Sequence, residues 1–451
     1  MKRKVYDELL KWKEQYSGKE ALLLEGARRI GKSYIAEEFA RNEYRSYILV
    51  DFSKIKREEK EIFDNYLGSD LDTFFRLLSL QRRTKLYPGE SLIIFDEVQL
   101  YPKAREAVKA LVADGRFSYL ETGSLVSIRK NTRNILIPSE EKRLEMYPMD
   151  FEEFLWAVGE EELMDYIREC FEKGQPLSAA LHRRAMLLLR TYVIVGGMPQ
   201  AVLSWKESGD FEAVDHEKRR ILELYRNDIY NYAGAQADKV VKIWDAIPGQ
   251  LSKHEKRFSI GSVKKGARTR DYQSALFWLT ESQVVNVCYG ATEPSIGLKL
   301  SRDDAKYKLY LSDTGLLISH AFDEDPRSLD ELCGKLMLGK LELNSGMLIE
   351  NLVAQMLRSS GKKLYFYSRV DKEVKENTME VDFLVRKPSV TSRHNICPIE
   401  VKSGSRYATV SLRRFASKFK DYQATQYVVH AGTFKEKDGI IYLPLYMAGL
   451  L

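Results

Sequence analysis

Residues 26–33 read G-A-R-R-I-G-K-S, which sets Gly26, Gly31, Lys32 and Ser33 at the spacing G-x-x-x-x-G-K-S. The apolar run 21–25 precedes them, and in 32–41 behind them Ile35 and Phe39 are spaced to face inward on a helix. A strand, a glycine-bearing turn and a helix in that order make a cradle of backbone N–H groups at the helix's positive end. Two further apolar runs, "SYILVDF" (46–52) and "FSYLETGS" (117–124), continue a β/α alternation, so the N-terminal part is expected to be a parallel α/β layer.

Such a cradle suits phosphate. The turn from Gly26 through Ala27, Arg28, Arg29, Ile30 and Gly31 to Lys32 and Ser33 reads as a P-loop, with Lys32 reaching the β- and γ-phosphates and Ser33 ligating Mg²⁺. The Arg28 and Arg29 side chains face either phosphate or solvent. "SLIIFDEVQL" (91–100) is an apolar strand ending in Asp96 and Glu97. An aspartate at such a strand end completes the magnesium shell, and the glutamate beside it can orient or deprotonate an attacking water. Thr122 and Ser124 end the neighbouring strand, where they either sense the γ-phosphate or cap the strand. No N-K-x-D guanine-reading motif occurs, so ATP is expected rather than GTP. The competing reading is a glycine turn that binds nothing.

With 451 residues the chain is too long for one core. We expect three segments: 1–190, a P-loop layer with a helical lid; 191–335, a helical and winged-helix region; and 336–451, a second α/β domain. The 44% hydrophobic and 30% charged content exclude a disordered chain, and a net charge of +6 is only a mild lean towards polyanions. Four scattered cysteines read as reduced residues of a cytoplasmic protein, without a disulfide frame or zinc site. The most apolar stretch, 186–199, is too short and too interrupted by Arg190 and glycines to span a membrane.

In the middle region Val240, Ile243, Trp244 and Ile247 form an apolar helical stripe ending at Pro248. A short helix in "SIGSVKKG", a second over 270–279, and strands in "VVNVCYG" and "KYKLYLS" follow the order of a winged helix. Lys264, Lys265, Arg268 and Arg270 stand ahead of the second helix, where they contact DNA phosphates or are simply solvated.

Near the C-terminus "IEVKSG" (399–404) puts Glu400 and Lys402 on one side of a strand, and "MEVDFLV" (379–385) presents Asp382 in phase with Glu380. Glu350 lies on the apolar helix 346–357 upstream. This set resembles the PD-(D/E)xK restriction-endonuclease-like fold. The resemblance implies Asp382 and Glu400 as ligands of Mg²⁺, Lys402 as stabiliser of developing charge, and Glu350 in or behind the metal shell. The alternative is a Glu400–Lys402 salt bridge in an inert domain.

"LLLEGARRIGKS", "IIFDEVQ", "LETGS" and "YPMDFEEFL" (147–155) occur in an order similar to the AAA-type ATPase module of a large group of prokaryotic proteins. In that group a basic loop carrying Gly-Arg precedes the last motif; here 137–149 reads "IPSEEKRLEMYPM", with Arg143 but no glycine before it. "GGMP" (196–199) and "YLSDTGLL" (310–317) extend the resemblance into a region of no assigned activity. The combined expectation is an ATP- and Mg²⁺-using ATPase, able to be completed by an arginine of a neighbouring subunit. Its nucleotide state would control a nuclease-like, DNA-binding region. The alternative is a non-nucleolytic regulatory protein whose nucleotide state governs binding of a protein partner or DNA.

Overall fold

The computed structural model describes residues 1–123, 140–253, 257–294, 297–322, 326–340, 345–371, 373–374, 377–387, 395–404, 407–422 and 424–451. They fall into two compact units, 1–147 with 281–283 and 148–280 with 284–451. The units therefore part after Tyr147 and not at 190, and the two expected C-terminal segments share one sheet.

The first unit is a parallel five-stranded sheet in the order β2-β3-β4-β1-β5, with β1 Ala21–Glu25, β2 Ser46–Asp51, β3 Ser91–Asp96, β4 Ser118–Gly123 and β5 Glu141–Glu145. Every residue of β1, β3 and β4 is buried, as strands covered on both faces require. Among the described residues five helices accompany them: α1 Val5–Tyr16, α2 Lys32–Glu43, α3 Arg57–Tyr66, α4 Leu71–Arg82 and α5 Pro102–Asp114. On one side Phe52, Phe63, Phe74, Phe95 and Tyr101 form an edge-to-face and stacked aromatic core. Because β1 and β3 are neighbours-but-one of the parallel order, their C-terminal ends open at the same edge, where ligands of such sheets bind.

In the second unit, three helices (Phe151–Ala157, Glu161–Lys173, Ala179–Val195) precede two more at Pro199–Ser208 and Phe211–Tyr232. The helix Ala237–Leu251 buries Val240, Ile243, Trp244 and Ile247 as expected, but runs through Pro248. Pro248 removes the donor that the Trp244 carbonyl would use, and that carbonyl instead lies 3.1 Å from a ring nitrogen of His320. Short helices Ile260–Val263 and Gln273–Glu281 follow, then a hairpin of β6 Val285–Ala291 and β7 Arg302–Leu311. The Phe258 N–H donates to the Tyr307 carbonyl at 2.8 Å, so the chain before the first short helix lies along β7.

The remaining chain gives the helix Ser345–Ser359, the antiparallel strands β8 Tyr365–Arg369, β9 Met379–Arg386 and β10 Ile396–Lys402, the helix Val410–Lys418, and β11 Gln426–His430 parallel to β10. With β12 Lys435–Lys437 and β13 Ile440–Pro444 the sheet runs β12-β13-β11-β10-β9-β8-β6-β7. The hairpin's β6 pairs with β8 where Tyr289 and Gly290 lie beside Tyr365 and Phe366.

"GGMP" and "SDTG" meet in a buried knot. The Asp313 carboxylate accepts the Gly197 N–H at 2.5 Å, the Leu316 N–H at 2.8 Å and the Gln355 amide at 3.2 Å, with Asp313 itself fully buried. Gln355 in turn donates to the Tyr192 hydroxyl at 2.9 Å, and that hydroxyl donates to the Met149 carbonyl at 2.7 Å. Both motifs thus tie four segments together and carry no reactive group into solvent. The four cysteines are free and buried, and among the described residues no helix is long and apolar enough to cross a membrane.

Candidate functional site

The turn after β1 is shaped by two glycines. Gly31 caps α2 with φ +95°, which only glycine adopts without strain, and a Cβ on Gly26 would stand 2.5 Å from the Met146 carbonyl oxygen. Ile30 is buried beneath the turn, while Arg28 and Arg29 are exposed. The buried Arg3, at the start of the chain, donates to the Ile30 carbonyl at 2.8 Å and the Tyr147 carbonyl at 2.7 Å, fastening the turn from below. Nothing in the local pattern around Arg3 announced that role.

Lys32 points back into the turn, its ammonium donating to the carbonyls of Gly26 (3.0 Å) and Ala27 (2.8 Å). Burial pushes this lysine down to about 8, against the opposing pull of Glu97 and Asp96. A desolvated ammonium at a helix N-terminus is a site that gains from a polyanion.

The Ser33 hydroxyl donates to Asp96 Oδ1 at 2.7 Å, joining the first turn of α2 to the end of β3. Thr122 of β4 donates to the same carboxylate oxygen and receives the Glu97 N–H at 3.4 Å, so its hydroxyl positions the acidic pair. Glu97 sits at φ +54°, an uncommon region for a non-glycine residue, and the Gln99 side-chain amide donates to its carboxylate. Ser33 and Asp96 form the oxygen pair suited to Mg²⁺, and the chemistry of hydroxyl plus carboxylate fits that hard cation. The sequence reading missed Gln99, although "DEVQ" contains it. Ser124 lies outside the described residues.

Arg143 is committed elsewhere. It pairs with Leu23 in the β1–β5 register, two residues short of the strand end, about 6.6 Å down the sheet. Its guanidinium donates to Glu141 at 3.1 Å, and Glu141 also takes a forked pair of bonds from the fully buried Arg105 at 2.9 and 2.8 Å. Glu121, also fully buried, is held well above the usual carboxylate range by burial and by the neighbouring Glu141.

A second cluster lies in the other unit. Glu350, Asp382, Glu400 and Lys402 do come together, around a cavity of about 550 Å³. They meet with a fifth residue that the sequence reading missed. Lys308 of β7, 1% exposed at its side chain, places its ammonium 2.9 Å from Glu380, 3.2 Å from Glu350 and 3.7 Å from Asp382. Burial works against its charge, but the charges of Glu350, Asp382 and Glu380 outweigh that and hold it well above the ordinary lysine value. Glu350 also accepts the Tyr310 hydroxyl at 2.5 Å, Asp382 accepts the Val401 N–H at 2.8 Å, and Glu400 pairs with Lys402 at 2.8 Å. Among the described residues no three histidine, cysteine or acidic side chains are arranged to hold a metal ion. Asp382 and Glu400, the expected metal ligands, each face a cation, Lys308 at 3.7 Å and Lys402 at 2.8 Å.

Residues 18–155 match the family described as AAA domain. Residues 186–327 and 345–447 match two families described as domains of unknown function (DUF8612 and DUF4143). No curated protein matches the chain. Among solved structures, the chain is similar to the Walker-type ATPase PABY2304 of Pyrococcus abyssi (16% identity, TM-score 0.40, 71% of this chain and 95% of that one). Weaker likenesses are RuvB T158V of Thermotoga maritima (12%, 0.28, 62% and 87%) and Cdc6p of Pyrobaculum aerophilum (13%, 0.25, 75% and 93%). The motif, the sheet order and the family match agree in likening residues 18–155 to an AAA-type P-loop ATPase domain.

Proposed function

We propose that the protein binds ATP with Mg²⁺ at the turn 26–33, hydrolyses it, and uses the nucleotide state to control its C-terminal unit. The observation that carries this is the Ser33–Asp96 hydrogen bond, which joins the two oxygen ligands at the sheet edge where the phosphates would lie. Lys32 exchanges the Gly26 and Ala27 carbonyls for phosphate oxygens, a charge-assisted contact that also favours its protonated form. Thr122 holds Asp96, Gln99 holds Glu97, and Glu97 takes the proton of an attacking water. The bound Mg²⁺ would supply neutralisation of phosphate charge. Glu97→Gln is expected to keep ATP binding and lose turnover by at least tenfold; phosphate release equal to the wild type's would refute the role of Glu97.

For the second unit, the order of helices 237–251, 260–263 and 273–281 followed by the β6–β7 hairpin supports a winged helix. Lys264, Lys265, Arg268 and Arg270 are all exposed before its second short helix, and we assign them to the phosphates of DNA. The α-β-β-β-α-β order from 345 to 430 supports the restriction-endonuclease-like reading of topology. Lys308 within the acidic cluster favours the second reading, that this unit binds its target without cutting it. Fluorescence anisotropy with duplex DNA tests the basic quartet. Changing all four to Ala is expected to weaken binding and flatten its salt dependence, and unchanged binding would refute the assignment.

A further inference from the structure

The nuclease-like topology implies a divalent cation between Asp382 and Glu400, and the residues in place do not fit one. Each acidic group already has a partner: Glu380, Glu350 and Asp382 lie 2.9, 3.2 and 3.7 Å from the Lys308 ammonium, and Glu400 lies 2.8 Å from Lys402. The inner groups are dry. Lys308, Glu350 and Glu400 have side chains 1%, 5% and 3% exposed, so the ammonium is not a surface lysine that swings aside into water. Tyr310, two residues along the same face of β7, donates to Glu350 and fixes the carboxylate that Lys308 meets. A divalent ion on Asp382 would stand within a few ångströms of that ammonium, inside a poorly screened site, and would have to displace it or endure its repulsion.

We propose that Lys308 is a built-in cation that takes the place of a divalent metal among Glu350, Glu380 and Asp382 and closes the C-terminal cluster to metal-dependent phosphodiester cleavage. The ammonium satisfies the carboxylates, as a metal would, but offers no coordination site for water and does not lower its pKa. The cavity beside it, lined also by Ser403, Gly404, Tyr407 and Ser411, remains a place for a ligand to dock. This inference concerns the second unit alone and stands whether or not the first hydrolyses ATP.

The test is Mn²⁺ titration of the nucleotide-free full chain, with free Mn²⁺ followed by electron paramagnetic resonance. The wild type, D382N, K308M and the double variant K308M/D382N are compared, so that any Mn²⁺ taken up by the P-loop is common to all four. The wild type and D382N are expected to bind Mn²⁺ alike. K308M is expected to gain one site per chain, at least tenfold tighter than any the wild type has at the cluster, and the double variant to lose it. A site in the wild type that D382N removes, or a folded K308M that gains none, overturns the proposal. Should K308M fail to fold by circular dichroism, the wild type and D382N comparison decides: equal uptake supports the resident cation, and loss of a site in D382N overturns it.

Discussion

Raising the pH should weaken ATP binding through Lys32 alone. Burial in the turn sets this lysine at about 8 in the ligand-free protein. A triphosphate brings opposite charge to within a few ångströms and returns it towards the ordinary lysine value, about 10.4. Binding therefore takes up protons between about pH 8 and pH 10. From the one-site expression, about nine in ten free molecules carry the ammonium at pH 7 and about one in ten at pH 9, so the association constant should fall about tenfold, or about 1.4 kcal/mol. Calorimetric titration of ATP with Mg²⁺ at pH 7, 8 and 9, in two buffers of different ionisation enthalpy, reads both quantities. About half a proton should enter per ATP at pH 8. The sign also fixes the ligand-free stability. A lysine whose folded value is depressed opposes folding while charged, so that penalty is present below about pH 8 and fades as pH rises towards 10. Affinity that is flat from pH 7 to 9, or proton release on binding, would refute the placement of Lys32.

Two substitutions separate chemistry from architecture. Gln99→Leu removes the amide that holds Glu97 and should lower kcat about tenfold with KM little changed, as steady-state phosphate release would show. Asp313→Ala strands the buried donors of Gly197, Leu316 and Gln355 and should destabilise the second unit by about 3 kcal/mol or more, seen as a lower urea midpoint.

The N-terminal site was readable because its parts are local. Strand, turn and helix are contiguous from 21 to 43, and a motif's spacing encodes the geometry that binds. Asp96 and Glu97 were found by the same logic, at the end of an apolar strand. Arg3 escaped, since its partners Ile30 and Tyr147 lie 27 and 144 residues away and only folding unites them. Lys308 escaped as well. It enters from β7, 42 residues before Glu350, on a strand that no motif links to the other four residues. Nor does strand alternation say which cation a carboxylate faces, so the period that placed Glu400 and Lys402 together was blind to the ammonium beside them. The unit boundary was misjudged because helices 151–195 look like a lid by charge pattern, whereas the contact of Tyr192 with Met149 and Gln355 binds them to the later chain.

Everything assigned to the first unit depends on a triphosphate seated over Lys32, its cation held where Ser33 meets Asp96. Calorimetric titration of ATP into the wild type and Lys32→Ala, with Mg²⁺ and with chelator, tests that seat most directly. One ATP per chain should bind the wild type, more tightly with Mg²⁺, and Lys32→Ala should weaken it at least tenfold. A wild type that gives no saturable heat, or a variant that binds as well, would contradict the assignment.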